Sequence, residues 1–433
     1  MEIESVARMA RECAGEMAAA SAEAKNKAIL RMAENLAESR EYILNANEED
    51  LARARDEGLP PNLVDRLRFG EAKIESRRRC LQKIAALPDP VGTVIRRQPA
   101  IKGLDAVRVR VPLGVILMIY EARPHVTVNA GAFCLKSGNA AILRGGSEAK
   151  ACNAVLGQLW IEALQKAELP LDAVQVISGT HEEIDRLLQL SDLIDLVIPR
   201  GGPGLIRAVA GASKIPVVKH FAGVCHVYID DGSDIDRAIR IALDSKCLMP
   251  EVCNAMETLL VSKAAAAHLP AIVEAFHRFG VTVRGCERTR EAAAGVEPAD
   301  EQDWSTEYLD HVVSVRVVED VAAAVEHINR YGSHHTDAIV TDSSAAAERF
   351  VRDVDSGVVL VNASTMFCDG ESLGMGAEIG ISTGKIHARG PMGLEELTSY
   401  KFVIRGDGLT MGTEAEWRPA RSSRGGAESA EKK

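Results

Sequence analysis

Nine cysteines are spread along the chain, at 13, 80, 134, 152, 225, 247, 253, 286 and 368. In LMPEVCNAMETLLV (248–261), Cys253 lies in a short polar turn just ahead of an apolar, strand-like run. A thiol at the start of a loop is either a small space-filler or an attacking group, and its thiolate is a nucleophile of acyl transfer. No CxxC pair and no Cys/His grouping at zinc-finger spacing accompanies it, which disfavours a disulfide framework and a structural metal. No metal is expected. In a reducing compartment most of the other thiols, Cys247 among them, read as small buried hydrophobes.

Two glycine-bearing turns suit an anion. In AILRGGSEAK (141–150) a strand ends at Arg144, and Gly145, Gly146 and Ser147 open a helix whose free amides lie beside a guanidinium. In LVIPRGGPGLI (196–206) a second strand runs into Arg200, Gly201 and Gly202 before another helix. Neither turn matches GxGxxG or the Walker pattern, and glycines between strand and helix are commonly plain turn formers. Two such turns in one array, each beside an arginine, point towards a dinucleotide.

The elements that must position these residues follow from periodicity. Residues 1–90 carry Ala, Glu, Arg and Leu at helical spacing and predict an amphipathic helical layer. From 113 to 230, apolar runs LGVILMIY, AAILR, AVQVIS, LIDLVIP, IPVV and HVYID alternate with helical segments, the rhythm of a parallel doubly wound sheet with ligands at the carboxyl ends of its strands. From 231 to 395 the rhythm returns with ETLLV, VVSVRVV, TDAIVT and GVVLV, which predicts a second α/β unit. Residues 409–433 lose periodicity and are expected as a mobile tail.

At 433 residues the chain has room for two or three domains, and 46% hydrophobic with 26% charged residues is ordinary for a globular protein. A net charge of −11 argues against a nucleic-acid surface, although local basic spots for small anions remain. The longest apolar stretch, VPLGVILMIY, has ten residues, about half of what a bilayer requires, so no membrane partner is expected. The amino terminus lacks an apolar signal core, and a cytoplasmic setting is expected.

The segments EARPHVTVNAGAFCLKSGNAAILRGGSEA, LVIPRGG, KIPVVKHFAGVCHVYID, CNAMETLLV, INRYGSHHTDAIVTDS, VNAST and GAEIGISTGKIHARGPMGLEELTSYK resemble the gamma-glutamyl phosphate reductases, within the aldehyde dehydrogenase superfamily. The resemblance runs from about residue 5 to 408, and to the monofunctional form rather than a kinase fusion. It implies an aldehyde dehydrogenase-like α/β fold with two Rossmann-like parallel-sheet domains and a small oligomerisation flap. Residues 1–100 and 113–225 would bind NADP(H), 226–395 would carry the cysteine, and 101–112 with 396–408 would form the flap. Neither flap segment buries a face alone, so a homo-oligomer is expected. The activity implied is reduction of L-glutamyl 5-phosphate to L-glutamate 5-semialdehyde, the second step of proline biosynthesis, and glutamate 5-kinase is the partner that would hand over the labile acyl phosphate. A reductase of another acyl phosphate or acyl-CoA, or a non-catalytic protein retaining the fold, are the other readings.

The resemblance makes Cys253 the nucleophile, and the chemistry agrees: thiolate attack on an acyl phosphate leaves a thioester electrophilic enough to accept hydride. Asn254 follows it, either helping to hold the oxyanion or shaping the turn. Arg144 and Ser147 would meet the 2′-phosphate of NADPH, and Glu307 aligns with an acid that hydrogen-bonds the nicotinamide ribose. Arg123, with Lys385, His387 and Arg389 of GKIHARG, would neutralise the glutamyl carboxylate and the leaving phosphate, or make ion pairs instead. His226 reads as a core histidine, and His334–His335 as no metal site by itself. The hydrolytic relatives carry an oxyanion-donor asparagine where Ala122 stands and a general-base glutamate where KHFAGVC stands. A phosphate-dependent enzyme needs no such base. The role of His220 is open.

Overall fold

The structure is a computed structural model that describes residues 2–99 and 104–412. Five helices, Ile3–Ala19, Ala22–Glu38, Arg40–Asp56, Pro61–Leu67 and Glu71–Ala86, form the expected amphipathic layer. The second shows the logic: Ser21 caps its first turn by accepting from the Ala24 amide at 3.1 Å, and Ala28, Ile29, Met32, Ala33 and Leu36 bury one face.

That layer packs on a four-stranded parallel sheet in the order Val174–Ile177, Ala140–Gly145, Val115–Tyr120, Leu196–Arg200. The strand Val115–Tyr120 is buried at every residue. Ile116, Met118 and Tyr120 enter the core beneath the helices Pro124–Lys136 and Lys150–Lys166, whereas Val115, Leu117 and Ile119 meet Ile3–Ala19 on the other face. Covering both faces is why this strand reads as an unbroken apolar run.

The second unit is a seven-stranded parallel sheet, in the order Glu297–Pro298, Thr282–Gly285, Val312–Val318, Met256–Ser262, Cys225–Ile229, Thr336–Val340, Val358–Val361. Its central strands are wholly buried. His226 is a core residue, as read from sequence, with Nδ1 2.8 Å from Asp337 Oδ1.

A three-stranded antiparallel sheet joins Val94–Gln98, Asp105–Pro112 and Thr398–Arg405. Strand pairing therefore moves Val94–Gln98 out of the nucleotide-side unit to which residues 1–100 were assigned. It leaves Val94, Ile95, Tyr400, Phe402 and Ile404 exposed, the last three on one face, with the Arg108 guanidinium 3.5 Å over the Tyr400 ring. Of the expected tail, residues 413–433 lie outside the described residues, as do residues 101–103 of the expected flap. Among the described residues no helix is long and apolar enough to cross a membrane.

The two parallel sheets present opposite edges to one another. Arg123 and Arg200 stand at or just beyond the carboxyl ends of their strands, at the switch point where strand order reverses. His220, Cys253 and His335 all precede theirs, at the amino ends of the central strands of the larger sheet. Candidate residues thus gather at the carboxyl ends of the first sheet's strands and at the amino ends of the second's.

Candidate active site

Cys253 closes the turn between the helix Ile235–Cys247 and the strand Met256–Ser262. Lys246 on that helix and Glu257 on that strand are fully buried and paired at 2.6 Å, clamping both ends of the turn. Burial pushes the Glu257 carboxyl up to about 7, against the pull of the Lys246 ammonium, and its other oxygen accepts from the Leu309 amide at 3.2 Å. Gly223 approaches the Cys253 main chain so closely that a Cβ there would overlap the Cys253 carbonyl. The Gly223 amide donates to Glu307 at 2.7 Å, which ties the predicted ribose-binding acid to the segment packed against the thiol's turn. Burial holds the Glu307 carboxyl above its ordinary range.

Two imidazoles flank the sulfur. A ring nitrogen of His220, a ring nitrogen of His335 and Cys253 Sγ all lie within 4.8 Å of one another. The rings meet edge to face with centroids 5.2 Å apart, and Nδ1 of His335 lies 2.8 Å from Thr336 Oγ1. Burial keeps both imidazoles neutral: it pushes His335 down to about 3 and lowers His220, where Arg200 adds to the effect. Neither histidine was assigned a role from sequence. His220 stands in the segment where the hydrolytic relatives have their base, which was the available signal. His335 has none, because only folding brings it there.

Charge reaches the thiol from the other sheet. Burial pushes Cys253 up to about 11, and the largest opposing influence is the Arg200 guanidinium, with Glu378 and Glu307 acting the other way. Arg123 faces the same place; burial and the neighbouring Arg200 lower it to about 10, so it stays charged at neutral pH. Neither arginine enters an ion pair among the described residues. Glu378, missed in the sequence, accepts from the Gly370 amide at 3.1 Å and is held up to about 7 by burial against the pull of Arg200. Arg200 also packs against Gly380, where an added Cβ would sit 3.0 Å from its Nη1.

The remaining candidates are placed differently. Asn254 is buried, and its side-chain amide lies 3.2 to 3.4 Å from the carbonyls of Thr365, Met366 and Cys368, so it shapes the turn and is not free for an oxyanion. Lys385 and Arg389 both pair with Asp355, at 2.7 and 2.8 Å, and pull its carboxyl down to about 2. His387, in a left-handed backbone conformation with φ 73°, donates from Nε2 to the Glu396 carbonyl at 2.6 Å. Lys385, His387 and Arg389 thus each engage neighbouring chain, in contrast to Arg123.

At the carboxyl edge of the smaller sheet, Arg144 donates to the Gly179 carbonyl at 3.2 Å and Ser147 is exposed. In the second glycine-bearing turn the Gly202 amide donates to Glu121 at 2.8 Å, and a Cβ on Gly201 would collide with that carboxylate. Ala122, in a left-handed conformation at φ 38°, donates its amide to Glu148 at 2.5 Å.

The sequence profile described as the aldehyde dehydrogenase family matches residues 1–285. The gamma-glutamyl phosphate reductase of Desulforapulum autotrophicum is 50% identical over 410 residues, 94% of this chain and 98% of that protein. The enzyme of that name from Desulfatibacillum aliphaticivorans is 48% identical over 405 residues, 93% and 97% of the two chains. The crystal structure of gamma-glutamyl phosphate reductase from Thermotoga maritima matches with a TM-score of 0.92 at 43% identity, covering 95% of this chain and 100% of that one. The chain belongs to the gamma-glutamyl phosphate reductases of the aldehyde dehydrogenase family.

Proposed function

We propose that this chain reduces L-glutamyl 5-phosphate to L-glutamate 5-semialdehyde, releasing phosphate, with NADPH as reductant and Cys253 as nucleophile. The observation that carries this reading is a thiol beside two imidazoles, close to two guanidiniums that enter no ion pair among the described residues. Sulfur attacks the acyl carbon, and the bond from that carbon to the phosphate oxygen breaks. The thiol's proton passes through neutral His220 to the departing phosphate, whose charge Arg200 and Arg123 meet. A bound nicotinamide cofactor supplies the hydride. The thiohemiacetal on Cys253 then breaks its C–S bond to release the aldehyde, and the sulfur takes up a proton.

The edge residues fit a dinucleotide. Arg144 Nε is buried without an acceptor, which suits a 2′-phosphate bound by Arg144 and Ser147. The Arg200-Gly201-Gly202 turn and Glu307 would line the nicotinamide end. In this reading residues 1–100 and 113–225 hold the cofactor, apart from the strand given to the flap, and residues 226–395 hold the thiol. The exposed apolar flap face is covered by a second copy. Glutamate 5-kinase hands over the labile acyl phosphate, in the cytoplasm.

The test is the reverse reaction. After hydride leaves, the thioester on Cys253 must be cleared by phosphate, since no glutamate stands in KHFAGVC to activate water, a deficit of about 10²- to 10⁴-fold. Semialdehyde-dependent NADPH formation should rise with phosphate and stop near one equivalent per site without it. Steady turnover in phosphate-free buffer would contradict the reading.

A further inference from the structure

We infer that Cys253, His220 and His335 form a capture site for a thiophilic metal ion, Zn²⁺ foremost, whose binding shuts the active centre. Three donor atoms from three separate segments lie within 4.8 Å of one another. Nε2 of both rings is buried with no hydrogen-bond partner. A buried polar atom left unmatched is costly, and a ring-nitrogen lone pair without a donor is what a metal ion satisfies. The other nitrogen of His335 is held by Thr336 Oγ1 at 2.8 Å, with Cys225 Sγ at 3.7 Å, the kind of outer contact that fixes a ligating ring.

Bond lengths of about 2.0–2.1 Å to nitrogen and 2.3 Å to sulfur put tetrahedral donors roughly 3.3 to 3.6 Å apart. Side-chain rotations that draw the donors together by about an ångström therefore complete the set, leaving a fourth position for water. Two imidazoles and a thiolate select Zn²⁺ or Cu⁺ over Mg²⁺ and Ca²⁺. The carboxylates of Glu307 and Glu378 favour a dication at this place, and Arg200 opposes it. On binding, the S–H bond breaks, the sulfur electron pair forms the bond to the metal, and the proton goes to solvent. Because the ligands are far apart in sequence, Cys/His spacing alone does not reveal the site.

Metal binding stands on geometry alone; its effect on turnover rests on the reading of Cys253 as nucleophile, since a metal ion draws charge from the thiolate and blocks its approach to the acyl carbon. The experiment titrates the purified protein with Co²⁺ and follows the sulfur-to-cobalt charge-transfer band, then displaces it with Zn²⁺. One equivalent should give the band, and Cys253→Ser should remove it. His335→Gln and His220→Gln, shown folded by thermal melts, should each lower affinity by at least about tenfold. Absence of the band, its survival in Cys253→Ser, or full affinity in both folded histidine variants would overturn the site. In parallel, Zn²⁺ should inhibit turnover reversibly with EDTA while Mg²⁺ does not. A full band without inhibition would uphold the site and overturn the role of Cys253 in turnover.

Discussion

The carboxyl edge of the four-stranded sheet and the amino edge of the seven-stranded sheet meet at one place and bring opposite chemistry to it. The smaller sheet offers fixed positive charge, from Arg123 and Arg200, without carboxylate partners among the described residues. The larger offers a protonated thiol and two neutral rings held in low-dielectric surroundings. Neither edge suffices for acyl transfer: a buried thiol needs a cation to favour its ionised form, and a cation pair without a nucleophile only binds anions. Placing them on separate units means that the reactive arrangement exists only when the units are packed together.

Removing the nucleophile gives the largest expected effect. Cys253→Ser should lower turnover to below about 10⁻³ of the parent while nucleotide binding, followed by fluorescence titration, stays unchanged. Next comes the clamp beneath the larger edge. Glu257→Gln leaves Lys246 buried without its partner and should cost about 3–5 kcal/mol in denaturant unfolding, with most of it regained when Lys246→Met is added. Unchanged stability in the single variant would show that the pair does not hold the turn.

Arg200→Met tests what the smaller sheet contributes. It should lower kcat/KM for the acyl phosphate roughly ten- to hundredfold, as expected for a lost charge-assisted contact. It should also change thiol ionisation. Because burial holds Cys253 up to about 11, iodoacetamide inactivation of the unliganded protein should rise about tenfold per pH unit from 7 to 10. Removing a cation that favours thiolate moves that curve to higher pH. A plateau near pH 7 in the parent would mean the thiolate is already formed. Arg144→Leu should reduce the preference for NADPH over NADH by roughly ten- to hundredfold, and equal use of both by the parent would remove the basis for that role. Lys385→Ala is the contrast: Arg389 still holds Asp355, and turnover should change by less than about threefold. A loss as large as that of Arg200→Met would put Lys385 at the substrate.

How much of this was legible in the sequence depends on whether the signal was local. The doubly buried strands announced themselves as apolar runs, and the Cys253 turn was visible because polar residues stand immediately before a wholly buried strand. Val94–Gln98 escaped because four of its five residues are exposed, so no burial period marks it. Arg123, Lys385 and Arg389 looked alike as basic residues; they diverge because Asp355, from another part of the chain, neutralises two of them. Asn254 turned out to serve the backbone because three distant carbonyls converge on it. Which edge of the second sheet faces the first is set by packing between units, and periodicity within a unit carries no trace of it. His335 and Glu378 belong to the site for that reason alone.

The most direct measurement is the mass of the Cys253 peptide after the protein is mixed with semialdehyde and NADP⁺ in phosphate-free buffer and quenched in acid. The result expected is one glutamyl group per chain, attached at Cys253 as a thioester, that disappears when phosphate is added before the quench. An unmodified Cys253 in protein that has formed one equivalent of NADPH, or an acyl group on another residue, would contradict it.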